Sequence, residues 1–158
     1  MGYIETEEDY IQVVEKYSDM IFRIAYQNLF HIHDAEDIVQ DVFLKLLRQK
    51  KKYFKDGEHL KAWLIRVTIN KCLDYKKSYS RRNTLSLEDF EISYEREEQD
   101  VMEELQQLPA DYRNILYLYY YEGYRIKEIA KMLGKKQNTV NSQLTRGRNQ
   151  LKKLLEKM

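Results

Sequence analysis

The sequence predicts an all-α protein made of two small helical domains joined by a flexible acidic linker. Three observations carry that expectation. Breakers are scarce, with 5 glycines and 1 proline in 158 residues, and these two residue types cost most inside a helix. Apolar residues recur at helical spacing through most of the chain. Charge is segregated under a formal net charge of only +1. Residues 1–44 carry 2 basic and 10 acidic side chains, 45–82 carry 13 and 3, 83–111 carry 1 and 10, and 112–158 carry 11 and 3. The domains are expected at 1–82 and 101–158, with the linker at 83–100. Two basic blocks separated by an acidic one suit two anion-binding surfaces on one chain. At 43% hydrophobic and 34% charged residues the chain reads as soluble and globular. No apolar run is long enough for membrane insertion, and the acidic N-terminus lacks a signal-peptide pattern. A single cysteine, Cys72, excludes an internal disulfide and fits a reducing compartment, so a cytoplasmic location is expected.

Thr6, with Asp9 three residues on, opens the first helix. Its apolar stripe runs through Tyr10, Val13, Tyr17, Ile21, Ile24 and Leu29 and ends near Phe30. His31 and His33 beside Asp34 lack a third strong ligand, so this turn reads as a polar loop and no metal site is assigned. A second helix follows, with Asp34 as the expected cap and Asp37 as its capping-box partner. At 100° per residue Ile38, Val39, Val42, Phe43, Leu46 and Leu47 form one apolar half. Asp37, Gln40, Asp41, Lys45 and Arg48 form the other, with Leu44 in their midst. Leu44 has no reason to face a core there; framed by acids and a glutamine, it suits a partner surface.

Tyr53, Phe54 and Lys55 lie in a breaker-flanked turn, where exposed rings among lysines suit single-stranded nucleic acid. Bases stack on rings while cations follow phosphates, at about 1–3 kcal/mol per stacked base. A third helix is expected from about Glu58 to Tyr79. Leu60, Trp63, Leu64, Val67 and Cys72 point inward, and Arg66, Asn70, Lys71, Asp74, Lys76 and Lys77 project elsewhere.

Past the linker, a short helix holding Val101, Met102, Leu105 and Leu108 stops at Pro109, and another restarts at Ala110 and runs to Gly123. Tyr117, Tyr119, Tyr120 and Tyr121 cannot all face inward. Tyr124 to Gly134 and Gln137 to Arg148 then have helix-turn-helix spacing. Small Ala130 sits where the helices cross, Gly134 makes the turn, and Val140 and Leu144 pack the second helix back. The second helix of such a motif enters the major groove. Asn138, Asn141 and Ser142 can read base edges, Arg146 can reach a base or phosphate, and Thr139 can hold a phosphate near the helix start.

These stretches together resemble the extracytoplasmic-function type of bacterial RNA polymerase sigma factor. Asp34-Ala35-Glu36-Asp37-Ile38-Val39-Gln40-Asp41-Val42-Phe43 is similar to the family's second conserved region. Trp63 through Asp74 is similar to the segment that melts and reads the −10 element. Leu108-Pro109-Ala110-Asp111-Tyr112-Arg113 opens the second domain as in the family, and Glu128 through Arg148 is similar to its −35-reading helix-turn-helix. The resemblance implies that Asp37, Gln40, Asp41, Leu44 and Arg48 dock on the clamp helices of the largest catalytic subunit of core RNA polymerase. It implies −10 contacts, on melted promoter DNA, from Tyr53, Phe54, Lys55, Arg66, Asn70, Lys71, Asp74 and Lys77. It implies −35 contacts, on duplex DNA, from Gln137, Asn138, Thr139, Asn141, Ser142, Thr145 and Arg146. An anti-sigma protein is a further partner of many members. Three positions depart from the family pattern. Asn141 and Gln143 stand where a basic residue is usual, and Gly147 replaces an alanine at about 1 kcal/mol of helix propensity.

The expected function is promoter recognition and transcription initiation as a sigma factor. The rival reading is a stand-alone helix-turn-helix regulator. The sequence offers no nucleophile–base pair, phosphate-cradling glycine loop or metal-ligand set, so neither an enzyme nor a cofactor is expected.

Overall fold

A computed structural model describes residues 4–49, 54–82 and 104–157. The chain divides into two compact units. The first contains α1 (Glu7–Leu29), α2 (Ile32–Arg48) and α3 (Gly57–Arg82). The second contains α4 (Ala110–Leu116), a π-helical turn (Tyr117–Tyr121), α5 (Ile126–Leu133) and α6 (Gln137–Glu156). The acidic segment 83–100 and residues 101–103 lie outside the described residues.

In the first unit α1 packs against both α2 and α3. Thr6 and Asp9 form the expected capping box: the Asp9 N–H donates to Thr6 Oγ1 at 3.0 Å and the Thr6 N–H to Asp9 Oδ2 at 3.2 Å. The helix stops at Phe30, whose φ of 52° is left-handed. For a residue with a side chain this costs about 1–2 kcal/mol. Burial of the Phe30 ring, worth about 1.5–3 kcal/mol, edge-on to Tyr26 at 6.2 Å, offsets that strain. Ile21, Ile24, Ala25, Ala35, Val42, Leu60, Leu64 and Ile65 form the core. Buried Asn28 and Thr68 satisfy themselves locally, donating to the carbonyls of Ile24 at 2.8 Å and Leu64 at 2.7 Å. Tyr10 ties the start of α1 to the end of α2, its hydroxyl donating to the Phe43 carbonyl at 3.0 Å.

Two expectations for α2 are corrected. The N-cap is His31, not Asp34: its Nδ1 accepts from the Asp34 N–H at 3.2 Å, and the helix begins at Ile32. Asp34 is therefore inside the first turn, where a carboxylate favours the positive end of the helix dipole. Leu47 does not belong to the buried half; it is exposed, like Leu44. It lies about 120° from the centre of the buried stripe at 100° per residue, beyond the reach of α1.

In the second unit α4 and α5 both pack on α6. Buried Arg113 donates to the carbonyls of Leu105 and Leu108, tying the segment before Pro109 to α4. Burial pushes its pKa down to about 10, which leaves it charged at neutral pH. The helix expected to run unbroken to Gly123 instead widens at its end. The Glu122 N–H reaches the Tyr117 carbonyl five residues back at 3.1 Å, and the Tyr117 hydroxyl donates to Glu122 Oε1 at 2.8 Å. The wide turn keeps Leu118 inside and leaves Tyr120 and Tyr121 exposed. Gly123, at φ 76°, then ends the segment.

Gly147 also differs from its sequence-based reading as a weak point. It is buried against α4, and a Cβ there would sit 3.0 Å from Tyr112 Cβ and 3.4 Å from Leu116 Cδ1. The missing side chain is what lets α4 and α6 approach.

Candidate nucleic-acid and protein interfaces

Three exposed surfaces carry the residues singled out by the sequence. On α2, Asp37, Gln40, Asp41, Leu44 and Arg48 are all exposed and share the face opposite the core. Leu47 joins them: Leu44 is 45% and Leu47 48% exposed, and three residues apart they are neighbours along the helix. The face is thus a pair of leucines rimmed by Gln40, two carboxylates and Arg48. The sequence missed Leu47 because it sits at the edge of the apolar stripe, where periodicity assigns either side.

On α3, Arg66, Asn70, Asp74 and Lys77 are exposed. At 100° per residue they fall within one stripe with His59 and Trp63. Lys71, half-buried, lies to one side of it. Lys55 is exposed and Tyr53 lies outside the described residues. Phe54 contradicts its expected role as an exposed stacking ring: it is 1% exposed. Its ring meets His59 edge-on at 5.5 Å and Trp63 at 5.6 Å. A phenyl ring has no polar atom to keep in water, so beside two other rings it buries. The surrounding loop is fixed by hydrogen bonds: the His59 N–H donates to Asp56 Oδ1 at 2.8 Å, and the Lys55 N–H to His59 Nδ1 at 3.0 Å. Phe54 is therefore the support under the loop. Among the described residues of this stripe, the rings that reach solvent are exposed His59 and half-buried Trp63, the latter assigned inward by its spacing from Leu60 and Leu64. The cue available in the sequence was that residues 59, 63, 66, 70, 74 and 77 follow one helical row.

The third surface is the helix-turn-helix. Ile129 and Ala130 of α5 and Val140 and Leu144 of α6 are buried between the helices. Gly134 turns the chain at φ 65°, and the Lys135 N–H closes the end of α5 on the Ala130 carbonyl at 2.9 Å. Gln137, Asn138, Thr139, Asn141, Ser142, Thr145 and Arg146 are all exposed on α6. Asn138, Ser142 and Thr145 form its outermost row, and Asn149, which the sequence reading passed over, continues it. Thr145 Oγ1 donates to the Asn141 carbonyl at 2.9 Å, so its hydroxyl proton is engaged and its methyl group and oxygen remain for a ligand. No side chain caps the start of α6 at Lys136. Gln143 lies off this row, half-buried, and accepts from Lys135 Nζ at 3.1 Å. Arg148 is turned toward the Tyr120 ring, 5.6 Å from its centroid.

Cys72 offers no nucleophile, since burial pushes its thiol up to about 12. Among the described residues no group of His, Cys, Asp or Glu is arranged to hold a metal ion, and no helix is long and apolar enough to cross a membrane.

Comparison with known proteins matches the two units separately. Residues 13–82 match the sigma-70 region 2 family and residues 98–151 match sigma-70, region 4. The chain is 32% identical to the ECF RNA polymerase sigma factor SigE of Mycolicibacterium smegmatis, covering 92% of this chain and 61% of SigE. It is 30% identical to the ECF RNA polymerase sigma factor SigM of Mycobacterium tuberculosis, covering 91% of this chain and 76% of SigM. Among solved structures, the sigma factor RpoE in complex with the anti-sigma factor NepR from Bartonella quintana superposes with a TM-score of 0.82 at 25% identity. That match covers 94% of this chain and 98% of RpoE.

Proposed function

We propose, from the premise that this chain belongs to the ECF RNA polymerase sigma factors, that it joins core RNA polymerase and directs it to promoters. In this reading residues 1–82 dock on the polymerase and hold the melted −10 strand, 83–100 link the units, and 101–158 read the −35 duplex. The observation that carries it is the pairing, on one chain, of a region 2 unit with an outward leucine pair on α2 and a region 4 unit whose α6 exposes a row of amides and hydroxyls. A regulator that only binds an operator needs the second unit and has no use for the first.

The α2 face suits the clamp helices of the largest polymerase subunit, with Leu44 and Leu47 as apolar centre and Asp37, Gln40, Asp41 and Arg48 as polar rim, the arrangement that concentrates binding energy in a few central residues. The α3 stripe suits a melted strand. Rings at His59 and Trp63 can stack on an unpaired base, Asn70 and Asp74 can hydrogen-bond it, and Lys55, Arg66, Lys71 and Lys77 can follow phosphates. On α6, Asn138 and Asn141 favour adenine edges by their bidentate geometry, which points to an A-containing −35 element. The protein makes and breaks no bonds itself, and it works in the cytoplasm beside its polymerase. The RpoE–NepR complex supports an anti-sigma protein as a further partner class.

The test is run-off transcription from a genomic promoter library by core polymerase with and without the purified chain. Defined new start sites that need the chain are expected. Duplex binding with no association to core would favour the stand-alone regulator. Leu44→Ala and Asp41→Lys should weaken core binding without unfolding the unit, because neither side chain faces the core. An Asp41→Lys variant that folds and binds core normally would remove α2 from the interface.

A further inference from the structure

The turn of the helix-turn-helix contains a contact that the DNA-reading face alone does not explain. Lys135 Nζ lies 3.1 Å from Gln143 Oε1 on α6 and 3.4 Å from Asp111 Oδ1 at the start of α4. The lysine side chain is 25% exposed, against 56% for Asp111. One partly buried cation in the turn thus touches α6, which follows it, and α4, which lies outside the motif.

The chemistry fixes an orientation. A lysine ammonium only donates, so the Gln143 atom facing it is the amide oxygen, and the NH2 edge of the same amide is turned away. A free glutamine flips between donor and acceptor; this one is held as a donor. Gln143 lies one helical turn after exposed Thr139 on the same row, on the flank of α6 beside the turn. Asp111 holds the lysine from the other side, which keeps the ammonium at the amide.

We infer that Lys135 is a positioning residue for DNA binding: it fixes the Gln143 amide so that its NH2 group donates to a phosphate of the bound duplex. The inference rests on the reading of α6 as the helix that enters the major groove. A neutral donor in this place adds a phosphate contact without releasing a counterion, so it strengthens binding without steepening its salt dependence.

The experiment uses the full chain and a labelled duplex carrying the upstream element of a promoter recovered by the run-off screen, with binding followed by anisotropy over a series of salt concentrations. Gln143→Ala should weaken binding about tenfold, the size of one hydrogen bond to a charged group, with the salt slope unchanged. Lys135→Met should weaken it equally, also with the slope unchanged, and the double variant should be no worse than either single one. Lys135→Arg, which still donates to Oε1, should restore binding. Gln143→Glu keeps an acceptor for Lys135, so it should hold its melting temperature while losing DNA. A slope lower by about 0.9 in Lys135→Met would instead mean that the lysine itself touches a phosphate, and would overturn the inference. So would additive losses, or variants that melt earlier yet bind normally once folded. If the screen yields no promoter at all, the groove-binding reading fails first; a promoter bound equally by every variant removes the inference alone.

Discussion

The α3 stripe and the α6 face present side chains of different kinds and are held in place by different means. Along α3 the exposed row mixes rings, cations, an amide and a carboxylate, and it rests on a buried phenyl ring, Phe54. Along α6 the row is amides and hydroxyls with Arg146 as its cation, and its helix is seated by an absence, the missing side chain of Gly147 against Tyr112. A surface for an unpaired strand must offer stacking and charge, because an unstacked base has lost its neighbours and its backbone is flexible. A surface for duplex must offer donors and acceptors at fixed spacing, because the bases stay stacked and only their edges are in reach. The supports differ accordingly: a ring cluster fixes a loop, and a close helix–helix approach fixes a rod.

The largest expected effect tests the support under α3. Phe54→Ala should cost the first unit about 3–5 kcal/mol, as for other fully buried phenylalanines. That is much of a small domain's ~5–15 kcal/mol, so its denaturation midpoint should fall steeply while the second unit is unaffected. If Phe54 were a stacking ring, the midpoint would hold and only strand binding would drop. Trp63→Ala sharpens the contrast, with single-strand affinity expected to fall by about 1–3 kcal/mol and duplex binding retained.

On α6, Asn138→Ala and Asn141→Ala should each lose about 1–3 kcal/mol of discrimination at one base pair, read by exchanging every pair of a bound promoter in turn. No loss of preference at any A·T pair would falsify the adenine assignment. Gly147→Ala sets two effects against each other. Helix propensity favours alanine by about 1 kcal/mol. The new methyl would press on Tyr112 Cβ at 3.0 Å, an atom fixed to the α4 backbone, and overpacking costs about 1–3 kcal/mol. A lower melting temperature for the second unit is expected, and a larger drop for Gly147→Val. A rise would mean that α4 can yield.

The helices and their buried stripes were legible in the sequence because periodicity reports directly on which side of a helix meets a core. Val13, Tyr17, Ile21 and Ile24 on α1, and Val140 and Leu144 on α6, are of this kind. What escaped depends on contacts distant in sequence or outside any period. Phe54 sits in a loop, where no spacing says which way a ring points. Leu47 sits at a stripe edge. His31 caps a helix with a ring nitrogen that cap preferences rank low, and the π-helical turn at Tyr117 depends on packing that propensity does not carry. Gly147 looked like a flaw because the neighbour that requires it, Tyr112, lies on another helix.

The smallest effect compares how the first and last helices begin. At α1 the Asp9 carboxylate is held below the usual 3.8 by its hydrogen bonds with Thr6, from the hydroxyl side chain first and the backbone N–H second. A group whose folded pKa is depressed contributes stability that is complete above its unfolded value and lost as pH falls through the folded one. The first turn of α1 should therefore fray below about pH 3.8, visible as faster amide exchange at its start, and Asp9→Asn should abolish that pH dependence. Because Asp9 acts only on the first turn, at the solvent-accessible start of α1, the change should be local and leave the midpoint of the unit nearly fixed. At α6 no side chain caps the start, so no carboxylate there can be titrated, and its first-turn amide exchange should show no corresponding acid step. Adding promoter duplex should instead slow exchange at Asn138 and Thr139, if a DNA phosphate takes the place that Thr6 and Asp9 fill for α1.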